Sequence, residues 1–410
     1  MVWETLMSVN ELVLTGFDEV GQVLRRKAMR QALYDEGGVV MREVLLTLHG
    51  QQHRQRRRLE NRLFRREVFQ AYDRQVVPGM MAEALAPFVA AGRGDLVTIG
   101  HRATLNLTAE ISGVDRPEGS VEELDRLYWF DLKFSDGATL VHSTRDHAVV
   151  RAEVAEALEA FDEEFLAPSV ARRRELLARF EAGEIDEQQL PRDVLTVLLR
   201  NQDDLDLPPE VVRREVAFFL QAGSHSSANA FAHAMHDLFT WFETRPEDRV
   251  RLLEDRLLLQ RFVHESLRLH PASPVAWRTA DEDVTLRAGR HIPAGTKVVL
   301  DLMAANRDPE VFGTDAEVFN PHRQLPDGIR LWGHTFGGGT HVCIGQELDG
   351  GTTLEQAGGD LDQHVMGVVP HLVHTALTHG ARPDPDHPPR QDTTSQRPNF
   401  ATYPVQFTTP

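Results

Sequence analysis

Phe336-Gly337-Gly338-Gly339-Thr340-His341-Val342-Cys343-Ile344-Gly345 holds the only cysteine of a 410-residue chain, within a run crowded by glycine. Glycine permits positive φ and lets backbone lie close against a flat ligand. A thiolate in such a loop can accept hydrogen bonds from the backbone N–H groups that follow it and can ligate iron. The same cysteine could equally be a buried, inert side chain beside a flexible loop. One cysteine forms no internal disulfide, which agrees with a reducing compartment and places any thiolate chemistry on Cys343.

Outward from this loop, most of the chain reads as helix. Apolar residues recur at spacings of three and four through 17–29, 70–92, 101–112, 121–134, 149–180 and 191–201. The longest pattern opens after Asp206 and the Pro208-Pro209 pair and runs through Val211, Phe218, Phe219, Phe231 and Phe239 to about Glu243. Another spans about 257–269 and stops near Pro271. Beyond it, Val284-Thr285-Leu286 and Lys297-Val298-Val299-Leu300 read as short strands around the Pro293-Ala294-Gly295 turn. The stretch 380–398, rich in Pro, Asp, Gln and Thr, reads as loop before a last strand from Thr402 to Phe407. The fold class is mainly α with a small β region. With no linker-like tract, the chain is expected to be a single domain over 1–410.

The formal charge of −18 disfavours nucleic acid, because phosphate binding needs cations to release counterions. Against that balance, Arg54, Arg56, Arg57, Arg58, Arg62, Arg65 and Arg66 lie close together, as a solvated helix face or as a docking patch for an acidic partner. No run of about 18 apolar residues occurs, so no membrane anchor is expected, and no secretion signal is legible. The expected location is cytoplasmic.

The cysteine loop matches the haem-binding signature of the cytochrome P450 family, Phe-x-x-Gly-x-x-x-Cys-x-Gly, at each fixed position. Three further segments stand in the family's order. Glu265 and Arg268 resemble its Glu-x-x-Arg helix pair, Phe319-Asn320-Pro321-His322-Arg323 resembles the segment completing that triad, and Asn306-Arg307-Asp308-Pro309 falls where the family carries it. Spacing alone would make Glu265 and Arg268 an ordinary surface pair on one helix face; the resemblance implies a buried structural triad. It implies a cytochrome P450-like fold, haem b bound through Cys343 as the iron ligand, and Phe336 and Gly345 beside the porphyrin. By position, His53, Arg57, Arg278 and His341 match the family's propionate contacts, although Arg57 could instead belong to the solvated basic run. The implied activity is a monooxygenase that inserts one atom of O2 into a small organic substrate. Its electrons would come from NAD(P)H through a ferredoxin or flavodoxin, docking near Arg54, Arg56 and Arg58, and a role in secondary metabolism would fit. The oligomeric state is not legible.

The chain departs from the pattern at Gln221-Ala222-Gly223-Ser224-His225-Ser226-Ser227. A glycine inside an apolar helix costs about 1 kcal/mol against alanine, which suggests a bend or a close ligand. By resemblance, Ala222, Gly223, His225 and Ser226 are the oxygen-activating residues, with histidine replacing the family's acid. Imidazole titrates near about 6.5 and can donate or accept. His225 is therefore expected to face the distal pocket and shape oxygen activation, with protons passing through His225, Ser226 and water. The same substitution leaves open a non-hydroxylating enzyme, either an oxidative coupling or a peroxide-driven one, or a haem-binding carrier or sensor. Substrate is expected near 33–47, Tyr128-Trp129-Phe130, Phe218, Phe219, Ala222, Pro274-Val275-Ala276 and Phe400. His233 and His236 share a face and read as non-metal residues. After Gly345 the glycines at 350, 351, 358 and 359 suggest that the helix behind the haem is broken or displaced towards 360–378.

Overall fold

A computed structural model describes residues 11–408. They group into two compact units, 11–33 with 233–346, and 34–232 with 347–408.

The first unit is built on a four-stranded sheet in the order Glu11–Leu14, Lys297–Asp301, Val275–Ala280, Met29–Gln31. The first pair is parallel, with Leu12 opposite Val298 and Leu14 opposite Leu300, and the other pairs are antiparallel. Val298 and Leu300 point inward while Lys297, Val299 and Asp301 stay partly exposed, the two-residue alternation of a half-buried strand. Beneath them Val20, Val23 and Leu24 of the helix Phe17–Arg25 complete an apolar core with Met29, Val284 and Ile292. That helix carries Asp18 and Glu19 in its first turn and Arg25 in its last, each complementing the helix dipole. The helix Arg256–Leu269 starts where the Asp255 carboxylate accepts the Leu258 N–H at 2.9 Å, and ends before Pro271.

The second unit is helical, and its helix starts are set by caps. Asp95, Ser120 and Asp146 accept N–H groups at the starts of Leu96–Ser112, Val121–Ala138 and His147–Phe161, and Gly113 closes the first at φ 90°. Phe130, Phe134, Phe161 and Phe165 pack edge-on or stacked between these helices. The strands Arg93–Asp95, Pro404–Gln406 and Arg382–Pro383 form one antiparallel sheet, and Arg390–Gln391 pairs with Phe400–Thr402.

The expected long helix is one continuous run, Pro209–Thr244, with no break at 221–227. Gly223 is explained by a neighbour instead of a bend. A Cβ there would lie 2.5 Å from Thr108 Cγ2, so glycine lets the long helix approach Leu96–Ser112. After Gly345 the helix is interrupted as expected: four residues, Gln346–Asp349, then an irregular segment, then Val368–Thr378. Asp73 anchors the second piece, accepting the N–H groups of Met366 (3.1 Å) and Gly367 (2.8 Å) and pairing with His371. Burial works to raise its pKa, but the His371 and backbone bonds outweigh it and hold Asp73 below its usual range. The segment 149–180 is two helices, His147–Phe161 and Ala167–Glu181, joined by a wider π-type turn at 162–166.

Candidate functional site

In the first unit, the Cys343 N–H donates to Phe336 O at 2.9 Å and the Gly337 N–H to His334 O at 2.8 Å, folding the loop back on itself. Gly337 and Gly339 take φ of 69° and 65°, the left-handed region that favours glycine. A Cβ at Gly339 would also strike Leu24 O, so this glycine lets the loop close on the helix Phe17–Arg25. Phe336 is buried edge-on to Trp332, whereas the Cys343 side chain is exposed and a Cβ at Gly345 would meet nothing within 4 Å. His341 closes the short turn Gly339–His341 and is half-buried.

The loop is held from behind by buried charge. Glu265 and Arg268 are fully buried and 2.7 Å apart, and Arg323 reaches Glu265 at 3.4 Å. Arg268 also donates to Asn306 O and Ala316 O at 2.7 Å, so its donors are spread over carboxylate and backbone. Asn306 accepts the His334 N–H at 2.7 Å and donates to Thr335 Oγ1 at 3.1 Å. A continuous network therefore joins the triad, through Asn306, to the residues just before Phe336. The triad reads as structural, and a buried pair with its remaining groups satisfied is what a fixed loop needs. Arg278 is buried on the sheet, donating to Gln31 Oε1 at 2.7 Å and Trp277 O at 2.9 Å.

The second unit carries the other expected residues. On the helix Gly50–Glu60, His53, Arg56 and Glu60 are buried, while Arg54 and Arg58 are exposed. Burial first, then the cations Arg57, His49 and Arg54, push His53 down to about 4. Arg57 donates to Asn61 Oδ1 at 3.0 Å. Arg56 is not a docking residue. It points inward and binds Glu215 at 2.7 Å, because positions 53, 56 and 60 share the inward face.

At the long helix, the residues expected to activate oxygen have partners that the sequence did not announce. Ser226 turns its hydroxyl onto Ala222 O at 2.7 Å, within its own helix. His225 Nε2 lies 2.9 Å from Arg397 Nη2. A guanidinium can only donate, so Nε2 accepts and the imidazole proton sits on Nδ1, which is buried without a partner. Burial, reinforced by Arg397 and His101, holds His225 well below 6.5, so it is neutral at pH 7. The expected two-way proton carrier is thus a fixed donor. The preceding Ser224 donates to the buried Asp131 at 3.0 Å, and Asp131 lies 3.4 Å from His101 Nδ1. Burial raises the Asp131 pKa against the pull of His101 and Ser224.

Sequence reasoning missed His101, Asp131 and Arg397. The first two lie inside amphipathic helical patterns, and Arg397 lies in a stretch read only as loop. Phe130 is fully buried among other aromatic rings and Phe400 nearly so. Trp129, partly exposed, lies against Arg126. His233 stacks on His270, which lies 3.3 Å from Asp237. Among the described residues, no group of three or more His, Cys, Asp or Glu side chains is placed to hold a metal ion.

The donor set suits haem. Cys343 is an exposed thiol, and His53, lowered first by burial and then by neighbouring cations, would be relieved of the second effect by a propionate. The family model for cytochrome P450 matches residues 151–348. The chain is 32% identical over 175 residues to cytochrome P450 4d2 of Drosophila melanogaster, covering 38% of this chain and 34% of that protein. It is 34% identical over 181 residues to cyclooctat-9-en-7-ol 5-monooxygenase of Streptomyces melanosporofaciens, covering 38% of each. The chain thus spans about a third of the length of the curated relatives it matches. The crystal structure of P450BioI, solved with an acyl carrier protein ligated to hexadec-9Z-enoic acid, superposes with a TM-score of 0.73 at 19% identity, covering 97% of this chain and 92% of that one. The fold and the cysteine loop are those of the haem-thiolate class that the matched proteins represent. The described residues take the cytochrome P450 fold, and the chain resembles that family over 151–348. No helix among the described residues is long and apolar enough to cross a membrane.

Proposed function

We propose that the chain, acting over 1–410 as one P450-like domain, is a monooxygenase that inserts one oxygen atom from O2 into a small organic substrate. Electrons would come from NAD(P)H through a ferredoxin or flavodoxin, in the cytoplasm and in a secondary pathway. The observation that carries this reading is Cys343: the only thiol of the chain, exposed, on a glycine loop whose backbone is closed by the Cys343 N–H to Phe336 bond. When bound, thiolate-ligated haem iron supplies oxygen activation.

The chain's own residues do the rest. Cys343 would hold the iron, with Phe336 and Gly345 giving the flat ligand an apolar floor and a clear approach. Arg278, His341, His53 and Arg57 are the residues proposed for the two propionates. The network from Glu265 through Arg268 and Asn306 fixes the segment before the loop, so the sulfur is placed before any ligand arrives. At the long helix, Ala222 would border the reacting centre, while Gly223 lets the helix close on Thr108. His225 would offer one hydrogen-bond donor, Nδ1–H, and Ser226 would keep its hydroxyl on Ala222 O.

The test is the reduced, carbon-monoxide-bound absorption spectrum. The wild-type protein is expected to show the band of thiolate-ligated haem, and Cys343→Ser to lose it while keeping its helical circular dichroism. A thiolate-type band surviving in Cys343→Ser would sink the assignment. A second reading, peroxide-driven oxidation, is favoured by one observation: the acid position holds a neutral imidazole whose acceptor nitrogen is already bound to Arg397. Product formed with hydrogen peroxide and no NAD(P)H would select it.

A further inference from the structure

Arg397 is buried and, among the described residues, has no carboxylate within 4 Å. Its Nη2 donates to Thr139 Oγ1 (3.1 Å) and to His225 Nε2 (2.9 Å), both neutral, and its Nε–H has no partner. Asp136 and Asp392 act on it only through space. Asp136 lies 3.7 Å from Arg145, and Asp392 accepts from Thr394. A buried guanidinium normally has a carboxylate or a full set of acceptors, because an uncompensated buried charge is costly. Here the cluster holds surplus donors, Arg397 Nε–H and His225 Nδ1–H, and lacks an anion to receive them.

The position is fixed by the surrounding backbone. The loop bearing Arg397 is tied to 142–144 by Gln396 N–H to His142 O (2.7 Å), Thr144 N–H to Thr394 O (3.0 Å) and Thr144 Oγ1 to Thr393 O (2.8 Å). The guanidinium is thus delivered to the polar turn of the long helix at His225.

We propose that Arg397, with His225 beside it, anchors a carboxylate carried by the organic substrate, so that the chain takes organic acids. This rests on the monooxygenase reading and names its substrate class. Arg397 keeps its charge and its Nε–H uncompensated while Nη2 is engaged by Thr139 and His225, and His225, its tautomer set by Arg397, adds the Nδ1–H donor; both favour an anion over a neutral group. A haem propionate has the same chemistry as a substrate acid, but Arg278, His341, His53 and Arg57 already stand for the propionates. Arg397 is therefore assigned to substrate.

The experiment is calorimetric binding of decanoate, phenylacetate and 4-phenylbutyrate to the haem-loaded full chain, each against its primary amide. At least one acid is expected to bind roughly 30-fold or more tightly than its amide. Arg397→Gln should erase that preference without changing haem content, and Arg397→Lys should keep part of it. No acid preferred over its amide, a preference that survives Arg397→Gln, or loss of haem from Arg397→Gln each overturns the proposal. The acid and amide comparison needs no variant, so it decides even if Arg397→Gln fails to fold. A wild-type carbon-monoxide spectrum without the thiolate band would remove the monooxygenase reading alone, because calorimetry still reports acid binding at Arg397.

Discussion

Gly223 shows how one residue can satisfy a family pattern for a local packing reason. In a helix interior, alanine is favoured over glycine by about 1 kcal/mol. Here a Cβ would meet Thr108 Cγ2 at 2.5 Å, and overpacking costs about 1–3 kcal/mol. Gly223→Ala is therefore expected to lose about 1 kcal/mol net in urea denaturation. In a Thr108→Ser background, which removes Cγ2, the same substitution should become neutral or gain up to about 1 kcal/mol. Equal cost in both backgrounds would show that the glycine serves something other than this contact. His225 carries a related lesson: its residue type marked a departure from the family, but its tautomer and charge follow from Arg397, which lies far along the chain.

Between elements, the helix Gly50–Glu60 meets the long helix through two carboxylates and one guanidinium, all buried. Burial and the neighbouring Glu215 push Glu60 well above the usual carboxylate range. Burial lifts Glu215 to about 7 against Arg56 and the Leu45 N–H. Neither Glu60 oxygen has a hydrogen-bond partner, and Arg56 neutralises one charge only, so this contact favours a protonated Glu60. Because both folded pKa values are raised, the stability they contribute is fully present below about 4.5 and is lost as pH rises through the folded values. Unfolding free energy is expected to fall by on the order of 1–3 kcal/mol between pH 5 and pH 8. Glu60→Gln, a neutral isostere, should flatten that slope, and chemical denaturation of both proteins across this range checks it. An unchanged slope would place the proton elsewhere. The same contact shows what sequence can and cannot convey. Apolar spacing found the long helix, the helix Arg256–Leu269 and the central strand Lys297–Asp301 because their buried faces are apolar. The inward stripe at 53, 56 and 60 is His, Arg and Glu, so hydrophobic periodicity was blind to it, and Arg56 was placed in a surface patch. The Cys343 loop and the triad were legible because each needs particular residue types at fixed spacing. Arg397 was not, because its partners Thr139 and His225 meet it only in three dimensions.

For the whole molecule, the charge of −18 would set the terms on which the proposed electron donor arrives. A small acidic ferredoxin is repelled by such a protein everywhere except where cations cluster, and screening limits each cluster's reach to about 8 Å at physiological salt. Arg54, Arg58, Arg62 and Arg65 are exposed in this way, whereas Arg56 is spent on Glu215. Reversing Arg58 and Arg62 together to glutamate removes local attraction and leaves net repulsion. The second-order rate of reduction by an acidic ferredoxin should then fall about tenfold at low salt, with the difference shrinking as salt rises. Reversal of the exposed Arg172, which lies on a different helix and pairs with Asp115 at 3.0 Å, should change the rate far less. Stopped-flow reduction under carbon monoxide over a series of salt concentrations measures both. Equal losses for the two reversals would mean that net charge alone governs encounter and that the basic helix has no special place in it.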